Sequence, residues 1–180
     1  MKPRSMHTLY RNRDYDRSWP MIHRDACRGI LIQDGLLAMI HSEVDGDYKF
    51  PGGGVEAEES MLEALSREVL EESGIRIGDP IEPYVVVEEI GGSRYESQTI
   101  YRMHSHYYLA AIYQKGFRQN LDDYEEVAQY RLTFVSVEEA LSHNRALLNR
   151  VDAMPWLPRE IFVLEMLLQD ASLPLNTNIR

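Results

Sequence analysis

A chain of 180 residues with 44% hydrophobic and 27% charged content has the composition of one globular domain, large enough to bury a core. Its net charge of −10 disfavours a broad surface that tracks nucleic-acid phosphates, and the single Cys27 excludes both an intrachain disulfide and a cysteine zinc cluster. No apolar run approaches the roughly 20 residues of a membrane span and no secretory leader pattern opens the sequence, so a cytoplasmic location without a membrane partner is expected.

The charge is uneven. Residues 1–28 hold seven Lys/Arg against three Asp/Glu, a balance of +4, which leaves −14 for the remainder. Residues 1–23 read as an N-terminal basic extension, a solvated tail in preference to an anion contact, and 24–180 as a single domain with a C-terminal helix. An anionic substrate on such an acidic body needs local basic groups or bound cations.

In chain order, "GILIQDGLLAMIH" places two apolar stretches around Asp34-Gly35 and predicts a hairpin. "KFPGGGVEAEES" is a Pro/Gly-rich loop. A helix is predicted from about Glu59 to Ser73, with Leu62, Leu65 and Val69 on its apolar stripe and Gly74 as a left-handed cap. "YVVVEEI" and the stretch from about Thr99 to Tyr113 read as strands separated by a Gly91-Gly92 turn. "LTFV" is a short strand, "VSVEEALSHNRALLNR" a second helix, and a third starts at Pro158 and ends near Gln169. Strands in the middle with helices around them predict an α/β (α+β) fold, a mixed sheet covered by helices on both faces.

The sequence "REVLEESG" sets Glu68, Glu71 and Glu72 at i, i+3 and i+4, a spacing at which like charges repel and weaken a helix. At about 100° per residue the three carboxylates project into one sector, at the border between solvent and the apolar stripe, with Ala64 leaving room beside Glu68. A solvated acidic face is the plain explanation. Carboxylates beside a glycine-rich loop fit a hard divalent cation better, since Mg²⁺ takes oxygen ligands together with substrate phosphates. Gly52, Gly53 and Gly54 let a ligand approach the chain closely, and a carbonyl there adds a neutral metal ligand.

Together these residues match the signature of the Nudix hydrolases, which the chain resembles over "GGVEAEESMLEALSREVLEESGI". Gly53 opens it, Glu59 follows, then Arg67-Glu68, Val69, Glu71-Glu72, Gly74 and Ile75. The resemblance implies an α/β/α sandwich and hydrolysis of a nucleoside diphosphate linked to another group. It implies that Glu68, Glu71 and Glu72 bind Mg²⁺ or Mn²⁺, joined by the Gly52 carbonyl. It gives Arg67 the role of orienting a carboxylate and Glu59 that of supporting the loop–helix geometry. A water attacks phosphorus in line, with its proton taken by Glu71, Glu72 or a later-loop acid, for which Glu125 and Glu126 are candidates.

Other residues carry weaker signals. His104 and His106 share a strand face and are compatible with a metal pair, but no third ligand stands out, and surface histidines are the favoured reading. Tyr95, Tyr101, Tyr107 and Tyr108 can stack on a base or pack the core, with packing favoured. Trp156 is expected to pack the last helix down, and Cys27 to be inert. Accessory motifs of relatives acting on ADP-ribose, dinucleoside polyphosphates, NADH or coenzyme A are not found, which leaves a nucleoside triphosphate or another small nucleotide as substrate. The resemblance leaves a homodimer open. The alternative function is a catalytically silent nucleotide-binding module.

Overall fold

The computed structural model describes residues 5–12, 15–93, 96–150 and 153–175. Residues 5–12 of the basic N-terminal segment are not a solvated tail. Ser5–Tyr10 form strand β1, which pairs in parallel with Val85–Ile90. Alternation turns Leu9 onto the core, and Arg11 finds a buried counter-ion in Glu89 at 3.0 Å. Strand β2 (Met21–Ile30) also begins inside the segment read as an extension.

Strands β3 (Ile32–Gln33) and β4 (Leu36–Ser42) form the expected hairpin. Asp34 and Gly35 have φ of 52° and 79°, the positive pair that a two-residue I′ turn requires. Because β4 is apolar from Leu36 to Ile40, it is buried on both faces there: Leu37 and Met39 enter one core and Ala38 the other. The short β5 (Tyr48–Lys49) pairs with β4, and its other edge is satisfied by Asn144, whose amide exchanges hydrogen bonds of 2.9 and 2.8 Å with the Tyr48 backbone.

Helix α1 (Met61–Ser73) opens with a capping box between Ser60 and Glu63 and ends at Gly74, φ 66°, whose N–H donates to the Leu70 carbonyl. Its buried arc differs from the expected stripe. Leu62 is 48% exposed, while Ala64, Leu65, Val69 and Glu72 are buried. At about 100° per residue, Glu72 falls between Ala64 and Val69, near the middle of that arc, and Leu62 at its margin in the first turn.

Strands β6 (Arg76–Gly92) and β7 (Ile100–Gln114) form a long antiparallel pair. Gly91 and Gly92 remain in this ladder opposite Tyr101 and Ile100, so they are not the predicted turn. Gly91 instead leaves room for the chain beyond β1, since a Cβ there would lie 3.1 Å from Arg11 Cβ and 3.2 Å from Asn12 N. Helix α2 (Asp123–Val127), strand β8 (Tyr130–Val135), helix α3 (Val137–Leu147) and helix α4 (Leu157–Gln169) complete the described chain, with Pro158 in the first turn of α4.

The strands form two sheets. One is mixed, in the order β1-β6-β7-β2; the other is β3-β4-β5, with β8 also on β4. Helix α1 covers one side through Leu65 and Val69 against Cys27, Leu31 and Ile75. Helices α3 and α4 cover the other through Leu141, Ile161 and Leu164, beside Phe50, Val85 and Tyr107. No helix among the described residues is long and apolar enough to cross a membrane.

Candidate active site

The glycine loop is bound along the edge of β2. Gly29 N–H donates to the Pro51 carbonyl (2.8 Å), Cys27 N–H to the Gly53 carbonyl (2.9 Å), and Val55 N–H to the Asp25 carbonyl (3.0 Å). Gly52 has φ +141°, and a Cβ there would be driven into the Cys27 carbonyl oxygen. A Cβ on Gly53 would occupy the place of the Glu68 carboxylate. The glycines therefore let the α1 carboxylates lie directly on the loop.

Arg67 organises the outer part of the site. Its Nε and Nη2 grip Glu59 at 2.8 and 2.9 Å, holding that carboxyl at about 2, well below its ordinary value. Its Nη1 bridges Glu68 Oε1 and Glu71 Oε2 at 2.7 and 3.2 Å, and Nη2 also donates to the Gly54 carbonyl at 3.1 Å. Burial raises the Glu68 pKa in spite of this guanidinium.

Glu72 turns inward, away from its two neighbours. One carboxylate oxygen accepts from Lys49 Nζ at 2.7 Å and the other from Gly52 N–H at 2.8 Å. Burial pushes Glu72 up to about 7, the Glu125 carboxylate adds to the rise, and Lys49 opposes it. Glu125, buried on α2, lies 3.6 Å from Lys49 and accepts from Tyr124 Oη at 2.9 Å. Glu126 is exposed on the same short helix. Lys49 itself is held between two anchored neighbours, Tyr48 by Asn144 and Phe50 by Glu160, whose Oε2 accepts from Phe50 N–H at 3.0 Å.

Beyond the glycine wall opens a cavity of about 400 Å³, lined by Arg24, Lys49, Tyr101, Tyr124, Tyr130 and Trp156 among others. Arg28 also lines it and donates from Nη1 to the Gly52 carbonyl at 2.9 Å. Its floor is a buried network in which Arg159 pairs with Glu89 (2.6 Å) and Glu160 (2.7 Å). A wider but shallow depression on the outer side of α1 is lined by Glu56, Glu58, Glu59 and Glu63, which repel an anionic ligand.

The loop thus meets Glu68 and Glu72 directly, and Arg67 joins Glu71 and Glu59 to them. Of the tyrosines, Tyr101 lines the cavity, Tyr107 and Tyr108 are core residues, and Tyr95 lies outside the described residues. Trp156 precedes α4 and donates from its indole to Asp47 at 2.6 Å while facing the cavity. Burial pushes the Cys27 thiol up to about 12, which keeps it protonated and inert. Lys49, Arg28 and Arg159 escaped the sequence reading. Only Lys49 carried a local signal, as one of three lysines in the chain, placed directly before the glycine loop.

A sequence model of the NUDIX domain matches residues 22–157, and the chain belongs to the Nudix family. Over 70 residues it is 33% identical to a MutT-like protein of Streptomyces ambofaciens, a match covering 38% of this chain and 46% of that protein. The chain thus matches about half the length of that curated relative. Its fold is similar to the NUDIX hydrolase of Nitrosomonas europaea, with TM-score 0.54, 17% identity, and coverage of 78% and 88% of the two chains. It is also similar to a MutT protein of Bacillus halodurans, with TM-score 0.52, 18% identity, and coverage of 67% and 72%. At these identities the likeness to solved structures is one of fold.

Proposed function

We propose that this protein is a divalent-metal-dependent hydrolase of phosphoanhydride bonds. Its substrate is a nucleoside diphosphate linked to a further group, with a nucleoside triphosphate or similarly small nucleotide favoured. The observation that carries this reading is the contact of the α1 carboxylates with Gly52 and Gly53 at the wall of a cavity lined by Arg24, Arg28 and Lys49. In a chain of net charge −10, this is where cationic side chains collect beside acids.

The residues present fit a hard cation. Glu68 and Glu71 already converge on one positive centre, Arg67 Nη1, and all the donors are oxygens. Glu68, Glu71, Glu72 and the Gly52 carbonyl would hold Mg²⁺ or Mn²⁺. Bound there, the ion supplies charge neutralisation for the diphosphate and a lowered pKa for a bound water. Arg67 keeps Glu68 and Glu71 together, braced by Glu59. Glu125 is favoured over Glu126 as the later-loop proton acceptor, because only Glu125 is turned toward Lys49. Tyr101, Tyr124, Tyr130 and Trp156 offer faces on which a base can stack. A cavity of about 400 Å³ suits a single nucleotide and not a polymer.

A nucleotide-binding module without turnover is the second reading. One observation favours it: both oxygens of Glu72 are engaged by Lys49 and Gly52, within the protein. A release screen over nucleoside triphosphates, oxidised nucleotides, sugar nucleotides and dinucleoside polyphosphates, with and without Mg²⁺ or Mn²⁺, separates the two. Metal-dependent release from one class supports the hydrolase. Thermal stabilisation by a nucleotide with no product selects the module.

A further inference from the structure

Strand alternation in β2 sends Arg24, Ala26 and Arg28 toward the nucleotide cavity and His23, Asp25 and Cys27 to the other face. Asp25 also borders the cavity, and its backbone carbonyl accepts from Val55 N–H, while its carboxylate is turned to His23, His104 and His106. Its carboxylate therefore lies on the far face, where β2 runs parallel to β7 with Asp25 beside His104. Ligand atoms of His23, Asp25 and His104 lie within 4.8 Å of one another. His23 Nε2 is 3.4 Å from Asp25 Oδ2, and His104 Nδ1 is 3.8 Å from Asp25 Oδ1.

The groups around these three set them up as ligands. Glu88 on β6 takes His104 Nε2 at 3.0 Å, accepts from Thr8 Oγ1 at 3.0 Å, and lies in a charge pair with Arg102, whose Nε is 3.0 Å away. A carboxylate only accepts, so His104 Nε2 carries a proton toward Glu88, and Nδ1 is the ring nitrogen left facing Asp25. A carboxylate bound to the remote nitrogen of a histidine is the arrangement that orients metal-bound imidazoles. His106 Nε2, at 2.9 Å from Asp25 Oδ1, holds the aspartate in the same way. With Asp25 and Glu88 negative and Arg102 positive, the cluster carries a net charge of −1 when its histidines are neutral, which a divalent ion offsets.

We propose that His23, Asp25 and His104 form a second metal site, distinct from the glutamates of α1, that takes a borderline-soft divalent ion of the zinc type. Two imidazoles and a carboxylate suit Zn²⁺ and its first-row neighbours, whereas Mg²⁺ prefers the all-oxygen set beside the glycine loop. Zinc bonds of about 2.0–2.2 Å bring tetrahedral ligand atoms to roughly 3.3 Å apart, so the site closes by modest side-chain rotation. His23, 44% exposed at the edge of the sheet, is free to make it. The bound ion would tie edge strand β2 to β7 and thereby steady the strand that presents Arg24 and Arg28 to the cavity.

The test is zinc titration of chelator-stripped protein by calorimetry, in a Glu68→Gln/Glu71→Gln background that disables the carboxylate site. One equivalent of zinc is expected to bind and to raise Tm. His23→Ala or His104→Ala should weaken it at least about 100-fold, and Glu88→Gln, which touches no metal, about 10- to 100-fold. Cobalt in place of zinc should give visible absorption that is lost in His104→Ala. Absence of zinc binding in the background protein, or binding unchanged in both histidine variants, overturns the proposal. His23→Ala keeps the test decisive if His104→Ala fails to fold, because His23 is half exposed.

Discussion

Lys49 Nζ and Glu72 Oε1 form a 2.7 Å ion pair in which neither side chain is more than 8% exposed. The pair fixes the end of β5 to the last turn of α1 and so sets the spacing between the glycine loop and the carboxylate helix. Removing one partner of a buried pair leaves the other charged without compensation, at a cost of about 3–5 kcal/mol. Lys49→Met should therefore destabilise the protein strongly at pH 8. The loss should shrink toward pH 6, because Glu72 sheds its charge by taking up a proton. Urea denaturation at the two pH values measures both the loss and its pH dependence.

Glu71 and Glu72 separate chemistry from stability. Glu71 is 35% exposed and contacts Arg67, whereas Glu72 is buried among Lys49 and the loop. On the proposed mechanism, Glu71→Gln lowers kcat by about 100-fold or more with a shift in Tm of only a degree or two. Glu72→Gln lowers both activity and Tm, since it also removes the nearer of the two carboxylates on the buried Lys49 ammonium and leaves it Glu125 at 3.6 Å. Paired kinetics and melting curves check the split, and an equal Tm loss in the two variants would contradict it.

Gly52→Ala is expected to be severe. The residue sits at φ +141°, and a methyl group would meet the Cys27 main chain, which cannot move aside without breaking β2. Strain of this kind costs about 1–3 kcal/mol before the clash is counted. Gly116, also at positive φ (+93°) but with nothing within 4 Å of a Cβ, is the control. Gly116→Ala should cost about 1 kcal/mol. Chemical denaturation of the two variants should rank them in that order.

Glu89 gives acid sensitivity. Burial alone would raise its pKa from 4.5, but Arg159 and Arg11 more than offset this and hold it lower. A carboxyl whose folded pKa lies below its unfolded one stabilises fully above the unfolded value. That contribution is lost as pH falls through the folded value. The Tm of the wild type should therefore drop as pH goes from about 5 toward 3. Arg11→Gln, which removes one of the two cations, should start the drop at higher pH and leave the neutral-pH fold in place.

The local parts of this structure were legible in the sequence because they are written locally. Ser60, Glu63 and Gly74 bound α1, Asp34-Gly35 makes its hairpin, and Pro158 marks the start of α4. What was not legible depends on partners far along the chain. Strand β1 exists because β6, some 80 residues later, offers it an edge. The inward turn of Glu72 depends on Lys49, 23 residues before it. The neighbours of His104 could not be read from its own strand because His23 and Asp25 arrive from β2, and Leu62 is left exposed at the margin of the buried arc in the first turn of α1. Gly91-Gly92 looked like a turn because the need for space beside Arg11 cannot be seen without the fold.

The six-residue strand β1 also acts as a guard. It occupies the backbone donors and acceptors of β6 from Val85 to Ile90, a run of Val, Glu and Ile that would otherwise face outward as an open template. Molecules that lose this strand, by proteolysis or truncation, would expose a sticky margin able to recruit the same margin of another molecule. Solubility would then fail before the α1 carboxylates had moved.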